Sequence, residues 1–278
     1  MSASIIYVGG YCNQNCLFCC GSSKKMPKSI YINIIKNCDG RLVISGGESI
    51  FSKELSSVFK LIKNNQKIKE VELQSNGAIF FYKNMVEKIS KYNLVTEYNI
   101  NFPTFDKKED MIITQSNLFN HRLQGIKNLL DRKLNVRLTF VLTRLNCKCL
   151  YDYLKFIKEN FNGLPLIQVS FVQIQGNVLK NLDIVPKYSE IKADLLKALE
   201  FARVNKLKLF IDNFPICISY PYNEINLDYV KKNNNEESFH SKIKVTCCKN
   251  CKLKDDCFGI PKDYLELYGN EEFKTVRD

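Results

Sequence analysis

The chain has 278 residues, 41 Lys and Arg against 29 Asp and Glu, a formal net charge of +12 and a hydrophobic content of 45%. That length allows one large α/β domain, or a domain of about 200 residues with a smaller appendage. No stretch approaches the ~20 apolar residues of a membrane span, and residues 1–12 lack the basic-then-apolar layout of a secretory signal, so no membrane partner and a cytoplasmic location are expected. The positive charge would suit an anionic partner such as RNA, an acidic peptide or a phosphorylated metabolite. The lysines are scattered, however, and form no basic run with interleaved aromatics, which speaks against nucleic acid. In a reducing compartment, 12 cysteines point to metal ligands before disulfides.

Taken in chain order, strand-like and helix-like runs alternate, the pattern of βα units on a parallel sheet. A first strand over residues 4–8 is broken by Gly9-Gly10. Cys12, Cys16 and Cys19 follow as C-x3-C-x2-C, with Phe18 just before the last. A helix is expected over 29–37, then a strand over 42–45 that runs into Gly46-Gly47-Glu48. Leu55, Val58, Phe59 and Ile62 fall at helical spacing. A third strand (71–74) ends in Ser75-Asn76-Gly77, and Met85, Val86 and Ile89 mark the next helix. A strand over 95–101 stops at Asn101, before Pro103. The helix over 118–130 and the strand over 136–142 come next, with Cys147 and Cys149 just beyond. A helix over 150–161, a strand over 166–172 and a long helix over 188–205 complete six units. Six are too few for a closed eight-stranded barrel. One more strand is expected over 207–211, and a polar, Asn-rich loop over 231–241. A second cysteine cluster closes the chain: Cys247, Cys248, Cys251 and Cys257.

Three thiolates on one tight loop can hold three irons of a cubane, since soft sulfur suits iron–sulfur clusters and leaves one iron open. Cys16 and Cys19 alone could instead be half of a zinc site. Ligands of parallel βα folds gather at the carboxyl ends of strands, where Gly46, Gly47 and Glu48 also fall. Together these motifs resemble those of the radical S-adenosylmethionine (SAM) superfamily. The resemblance implies α/β architecture, a partial (β/α)6 TIM-like barrel. It implies a [4Fe–4S] cluster on Cys12, Cys16 and Cys19, with SAM near Phe18, Gly46, Gly47, Glu48, Asn76 and Asn101. Reductive cleavage would give a 5′-deoxyadenosyl radical that takes a substrate hydrogen. An external electron donor such as flavodoxin or ferredoxin is implied. Cys147 and Cys149, on the same rim, could donate a hydrogen atom or be inert.

The spacing Cys248-x2-Cys251-x5-Cys257, with Tyr264, Tyr268 and Gly269 behind it, resembles the auxiliary-cluster segment of SPASM and twitch radical SAM enzymes. It implies a second domain over 207–278 after a barrel over 1–206. One auxiliary [4Fe–4S] cluster is expected, with Cys217 as fourth ligand and Cys247 as its rival; a zinc knuckle could use the same residues. The leading substrate is a ribosomally synthesised peptide, altered by crosslinking, thioether formation or epimerisation, with a separate leader-peptide-binding protein as a further partner. The alternative is synthesis of a cofactor or small metabolite. A zinc-binding RNA or protein adaptor without catalysis is a third reading.

Overall fold

The computed structural model describes residues 3–21, 26–238 and 240–277. Seven strands form one sheet in the order β1 to β7: Ser4–Tyr7, Gly40–Ser45, Ile68–Ser75, Glu97–Asn101, Val136–Leu142, Leu166–Phe171 and Leu209–Asp212. Every pairing is parallel, and β1 does not meet β7. The helices are α1 (Lys28–Asn37), α2 (Leu55–Lys63), α3 (Lys83–Ser90), α4 (Lys107–Thr114), α5 (Phe119–Asp131), α6 (Leu150–Asn160) and α7 (Tyr188–Val204), followed by α8 (Ile216–Ser219), α9 (Leu227–Asn233) and α10 (Lys262–Tyr268). Two short strands, β8 (Lys242–Ile243) and β9 (Ile260–Pro261), pair antiparallel in the tail. This is the open partial barrel that the alternating pattern predicts.

Alternation along each strand sorts its side chains onto two faces. On β5, Val136, Leu138, Phe140 and Leu142 are buried against the helices, while Arg137, Thr139 and Val141 face the other way. Each such apolar side chain withdrawn from water contributes about 1.5–3 kcal/mol. The helices answer with the stripes that their spacing announces: Leu55, Val58, Phe59 and Ile62 on α2, and Ile191, Leu195, Leu199 and Ala202 on α7.

Three elements differ from the sequence expectation. The seventh strand pairs with β6 and so belongs to the main sheet, across the expected boundary at residue 206. Helix α4 was not expected, because its first turn is Lys107-Lys108-Glu109-Asp110. Its start is set by Asp106, whose carboxylate accepts from the Glu109 amide at 2.8 Å. Helix α9 takes the first part of the expected loop over 231–241, and Lys231 on it is buried; Phe239 of that loop lies outside the described residues.

The inner face of the sheet is largely polar, with Val43, Val141 and Phe210 among its apolar members. Register places Gln74 beside Asn99, Asn101 beside Thr139, Thr139 beside Gln168, and Ser170 beside Asp212. Ser45 donates to Gln74 at 2.7 Å, Asn99 to Glu72 at 2.8 Å and Thr139 to Asn99 at 2.6 Å. Lower in the barrel, Arg41 and Arg137 both reach Glu72 and Glu97.

Candidate active site and metal centres

The loop of Cys12, Cys16 and Cys19 leaves the carboxyl end of β1 and is gripped from three sides. The last turn of α4 supplies carbonyls: Asn15 N–H donates to Thr114 at 3.2 Å and Leu17 N–H to Ile113 at 2.9 Å. The glycine pair after β2 lies flat against the same loop. A Cβ on Gly47 would sit 2.4 Å from the Tyr11 carbonyl oxygen, and its φ of +47° is one that side chains avoid. The Glu48 amide donates to that Tyr11 carbonyl at 2.8 Å. On the far side, the loop after β6 brings Gly176 and Asn177. The Asn177 amide donates to Cys19 O at 2.9 Å, and its side chain to Cys16 O at 2.9 Å and Asn15 Oδ1 at 3.0 Å. A Cβ on Gly176 would meet Cys19 O at 2.4 Å.

The three thiols act on one another electrostatically. Burial pushes Cys16 up to about 12, opposed by Arg122 and reinforced by Cys19 and Cys12. Burial also raises Cys12, with Glu48 and Cys19 adding to the rise. Crowded, desolvated thiols of this kind are poor holders of negative charge alone, and a cationic metal centre reverses that preference. Phe18 is packed in the core beside them.

Glu48 is wholly buried. Its Oε2 accepts from the Asn76 amide at 2.7 Å, and its Oε1 is buried with no hydrogen-bond partner. Burial pushes this carboxyl up to about 7 against the pull of the Asn76 amide, Ser75, the Ile50 amide and Arg122. Asn101 Oδ1, at the end of β4, is likewise buried and unpartnered. Two orphaned acceptors at the carboxyl ends of β2 and β4, with β3 between them, fit a ligand rich in N–H donors, such as the amino group of SAM. Asn76 is used differently. Its Nδ2 donates to Asn13 Oδ1 at 2.7 Å and lies 3.9 Å from Cys12 Sγ, so this side chain ties β3 to the cysteine loop.

Cys147 and Cys149 make their contacts elsewhere. Cys149 Sγ lies 3.1 Å from the Asn146 carbonyl and 3.6 Å from Glu109, and Cys147 Sγ lies 3.6 Å from the Arg144 carbonyl. Burial raises both, so both are held as thiols.

The tail gathers the second set of cysteines. Cys217, Cys247, Cys248, Cys251 and Cys257 line one small cavity, together with Lys244, Lys254 and Lys274. The β8–β9 pairing brings the two halves of the cavity together, since a Cβ on Gly259 would strike Ile243 O at 2.5 Å. Cys217 enters from α8, just past β7. Burial pushes its thiol up to about 12, and Cys257, Cys251 and Cys248 add to the rise. The Cys257 sulfur accepts from the Gly259 amide at 3.3 Å. The Cys247 carbonyl accepts from Thr275 at 2.8 Å. Among the described residues, no three His, Cys, Asp or Glu side chains are grouped as a single metal ion would need. Tyr264 and Tyr268 anchor this tail to the barrel. Tyr264 stacks on Tyr188 with centroids 4.4 Å apart, and the Tyr268 hydroxyl donates to Val185 O at 2.7 Å.

The sequence reading missed Gly176, Asn177, Arg122 and Asp110. Arg122 and Asp110 are wholly buried and paired with each other. Gly176 carried a visible signal, a glycine directly after the sixth strand, whereas the charged pair lay unmarked on two helices.

Residues 6–157 match the radical SAM superfamily. The match covers more than half of the chain, which therefore belongs to that superfamily. A radical SAM fold implies a [4Fe–4S] cluster and SAM. The chain is 25% identical over 233 residues to a GTP 3′,8-cyclase of Campylobacter jejuni subsp. doylei, covering 76% of this chain and 70% of that protein. Its fold is similar to that of anSMEcpe with bound AdoMet and Cp18Cys peptide, at a TM-score of 0.58 and 14% identity, over 75% of this chain and 62% of that one. It is also similar to Streptococcus suis SuiB bound to S-adenosylmethionine, at a TM-score of 0.60 and 14% identity, over 79% of this chain and 49% of that one. The chain thus spans less than two thirds of either solved structure. No helix among the described residues is long and apolar enough to cross a membrane.

Proposed function

We propose that Cys12, Cys16 and Cys19 hold the [4Fe–4S] cluster and that SAM lies across the carboxyl ends of β1 to β4. The observation that carries this is the unpartnered, buried Oε1 of Glu48, beside a loop of three converging thiols. When bound, the cluster supplies the electron that splits SAM and releases the 5′-deoxyadenosyl radical. Glu48 accepts from the SAM amino group, and Asn101 accepts from a second donor of the same ligand. Gly46 and Gly47 let the backbone lie close to the loop, while Asn76 and Asn177 keep the cysteines oriented. Phe18 shields the loop from water. Cys147 and Cys149, held as thiols, are candidate hydrogen donors.

The tail after β7 forms the auxiliary domain in this reading, with one further [4Fe–4S] cluster on Cys217, Cys248, Cys251 and Cys257. Cys217 is preferred over Cys247 because the thiols acting on it are those of the other three ligands. The enzyme works in the cytoplasm with a flavodoxin- or ferredoxin-type donor.

The substrate we favour is a ribosomally made peptide. The strand ends of the upper inner face carry Asn99, Asn101, Thr139, Gln168, Ser170 and Asp212, the last with His240 Nε2 at 3.9 Å. Peptide amides pair with such groups, whereas a triphosphate needs free cations. The inner-face arginines, Arg41 and Arg137, are both paired with glutamates, with Arg137 Nε alone left without a partner. Two similar structures, anSMEcpe and SuiB, have been solved with peptides bound. The second reading, small-metabolite synthesis, draws on the sequence similarity to GTP 3′,8-cyclases and on Lys244, Lys254 and Lys274 around the second cavity.

Anaerobic reconstitution tests the core of this reading. The chain should load about eight irons and form 5′-deoxyadenosine on reduction with SAM. Replacing Cys12, Cys16 and Cys19 together by Ala should remove about half of the iron and end cleavage; cleavage that persists would refute the assignment. Mass spectrometry after incubation with GTP, or with short peptides encoded beside the gene, separates the two substrate classes.

A further inference from the structure

Arg122 is wholly buried on α5. Its Nε donates to the Asn76 carbonyl at 3.0 Å, and its Nη1 pairs with Asp110 on α4. Its Nη2 is buried with no hydrogen-bond partner. Buried ion pairs are expensive to desolvate, and well-packed apolar residues often serve stability as well or better. A half-satisfied guanidinium in the interior therefore calls for another use.

The surroundings indicate one. The helix that carries Asp110 offers its Ile113 and Thr114 carbonyls to the cysteine loop. The residue whose carbonyl Arg122 holds, Asn76, reaches Asn13 and Cys12 with its side chain and Glu48 with its amide. Asn76 stands between Arg122 and the loop: Arg122 Nε holds its carbonyl at 3.0 Å, and its Nδ2 lies 3.9 Å from Cys12 Sγ. Arg122 thus joins α4, α5 and the end of β3 behind the three cysteines, and it fixes a positive charge there.

We infer that Arg122 is a positioning residue that sets the reduction potential of the SAM-binding cluster, in a balance with Asp110. This rests on the proposed placement of the cluster on Cys12, Cys16 and Cys19. Three thiolates leave such a cluster with net negative charge, and one electron from an external one-electron donor adds to it. A fixed cation in a water-poor site favours the more negative state, because the attraction is weakly screened there. Arg122 eases reduction; Asp110 limits the effect.

The test is a redox titration of the reconstituted holoenzyme followed by electron paramagnetic resonance. The signal that changes on addition of SAM identifies the cluster in question. Arg122→Met should load iron normally but lower the one-electron reduction equilibrium about tenfold, or ~59 mV toward more negative potential. Arg122→Lys keeps the charge and should recover most of that shift. Asp110→Asn should move the potential the opposite way, and it carries the test by itself if Arg122→Met fails to fold. Opposite shifts are not the signature of a merely structural pair. Iron-loaded variants that titrate with the wild type, or that shift in one common direction, would overturn the inference. A wild-type chain that binds iron but gives no SAM-sensitive signal would instead reject the cluster placement on which it stands.

Discussion

Glu48 concentrates the chemistry of the site in one side chain. One carboxylate oxygen is satisfied by the Asn76 amide and the other is left bare. Burial raises its pKa from 4.5 to about 7, so between those values the folded apoprotein holds a proton that the unfolded chain does not. The sign follows from linkage: Glu48 makes the apoprotein lose stability as pH rises from 4.5 to about 7, and SAM binding should strengthen over pH 6 to 8 as the carboxylate forms. Glu48→Gln should weaken SAM binding by about 2 kcal/mol, roughly 30-fold, as expected for a lost hydrogen bond to a charged group. It should also flatten the pH dependence, which equilibrium dialysis of the reconstituted protein would read. A steep profile in Glu48→Gln would assign the titration to another group. The importance of Glu48 was legible beforehand, because Gly46-Gly47-Glu48 follows a strand one unit after the cysteines. Its bare oxygen was not, since burial is a property of the packed molecule.

At the scale of elements, the cysteine loop has little regular structure of its own and takes its shape from its neighbours. The end of α4, the turn after β2 and the loop after β6 each hold it through backbone groups. Gly176→Ala would put a methyl against Cys19 O at a φ of +58°. It should therefore cost about half of the reconstituted iron, read by colorimetric iron assay, while far-ultraviolet circular dichroism stays unchanged. The tail is organised in the same way, by α8 and the β8–β9 pair around one cavity. Cys217→Ala should lower iron from about eight to about four per chain, and Cys247→Ala should leave it full. The reverse result would make Cys247 the ligand.

Across the whole molecule, the barrel keeps its apolar faces outward to the helices and its polar faces inward. Low on the inner face, Glu72 is buried, which raises its pKa, yet Arg137 and Arg41 hold it down to about 2. Its stabilising contribution is therefore present above pH 4.5 and lost as pH falls toward 2. Glu72→Gln should lose on the order of 3 kcal/mol at neutral pH and show a flatter acid limb, in urea titrations between pH 2 and 5.

The local code was enough for the βα rhythm, the apolar stripes of α2 and α7, and the spacing of Cys12, Cys16 and Cys19, because each depends on residues a few positions apart. Packing decided the rest. It added β7 to the sheet, set α4 against the cysteine loop, and brought Asn177, 161 residues away in the chain, to the Cys16 carbonyl. It also joined Arg122 to Asn76 across 46 residues. Such pairings follow from how helices and strand ends close on one another, and no short window of sequence contains both partners.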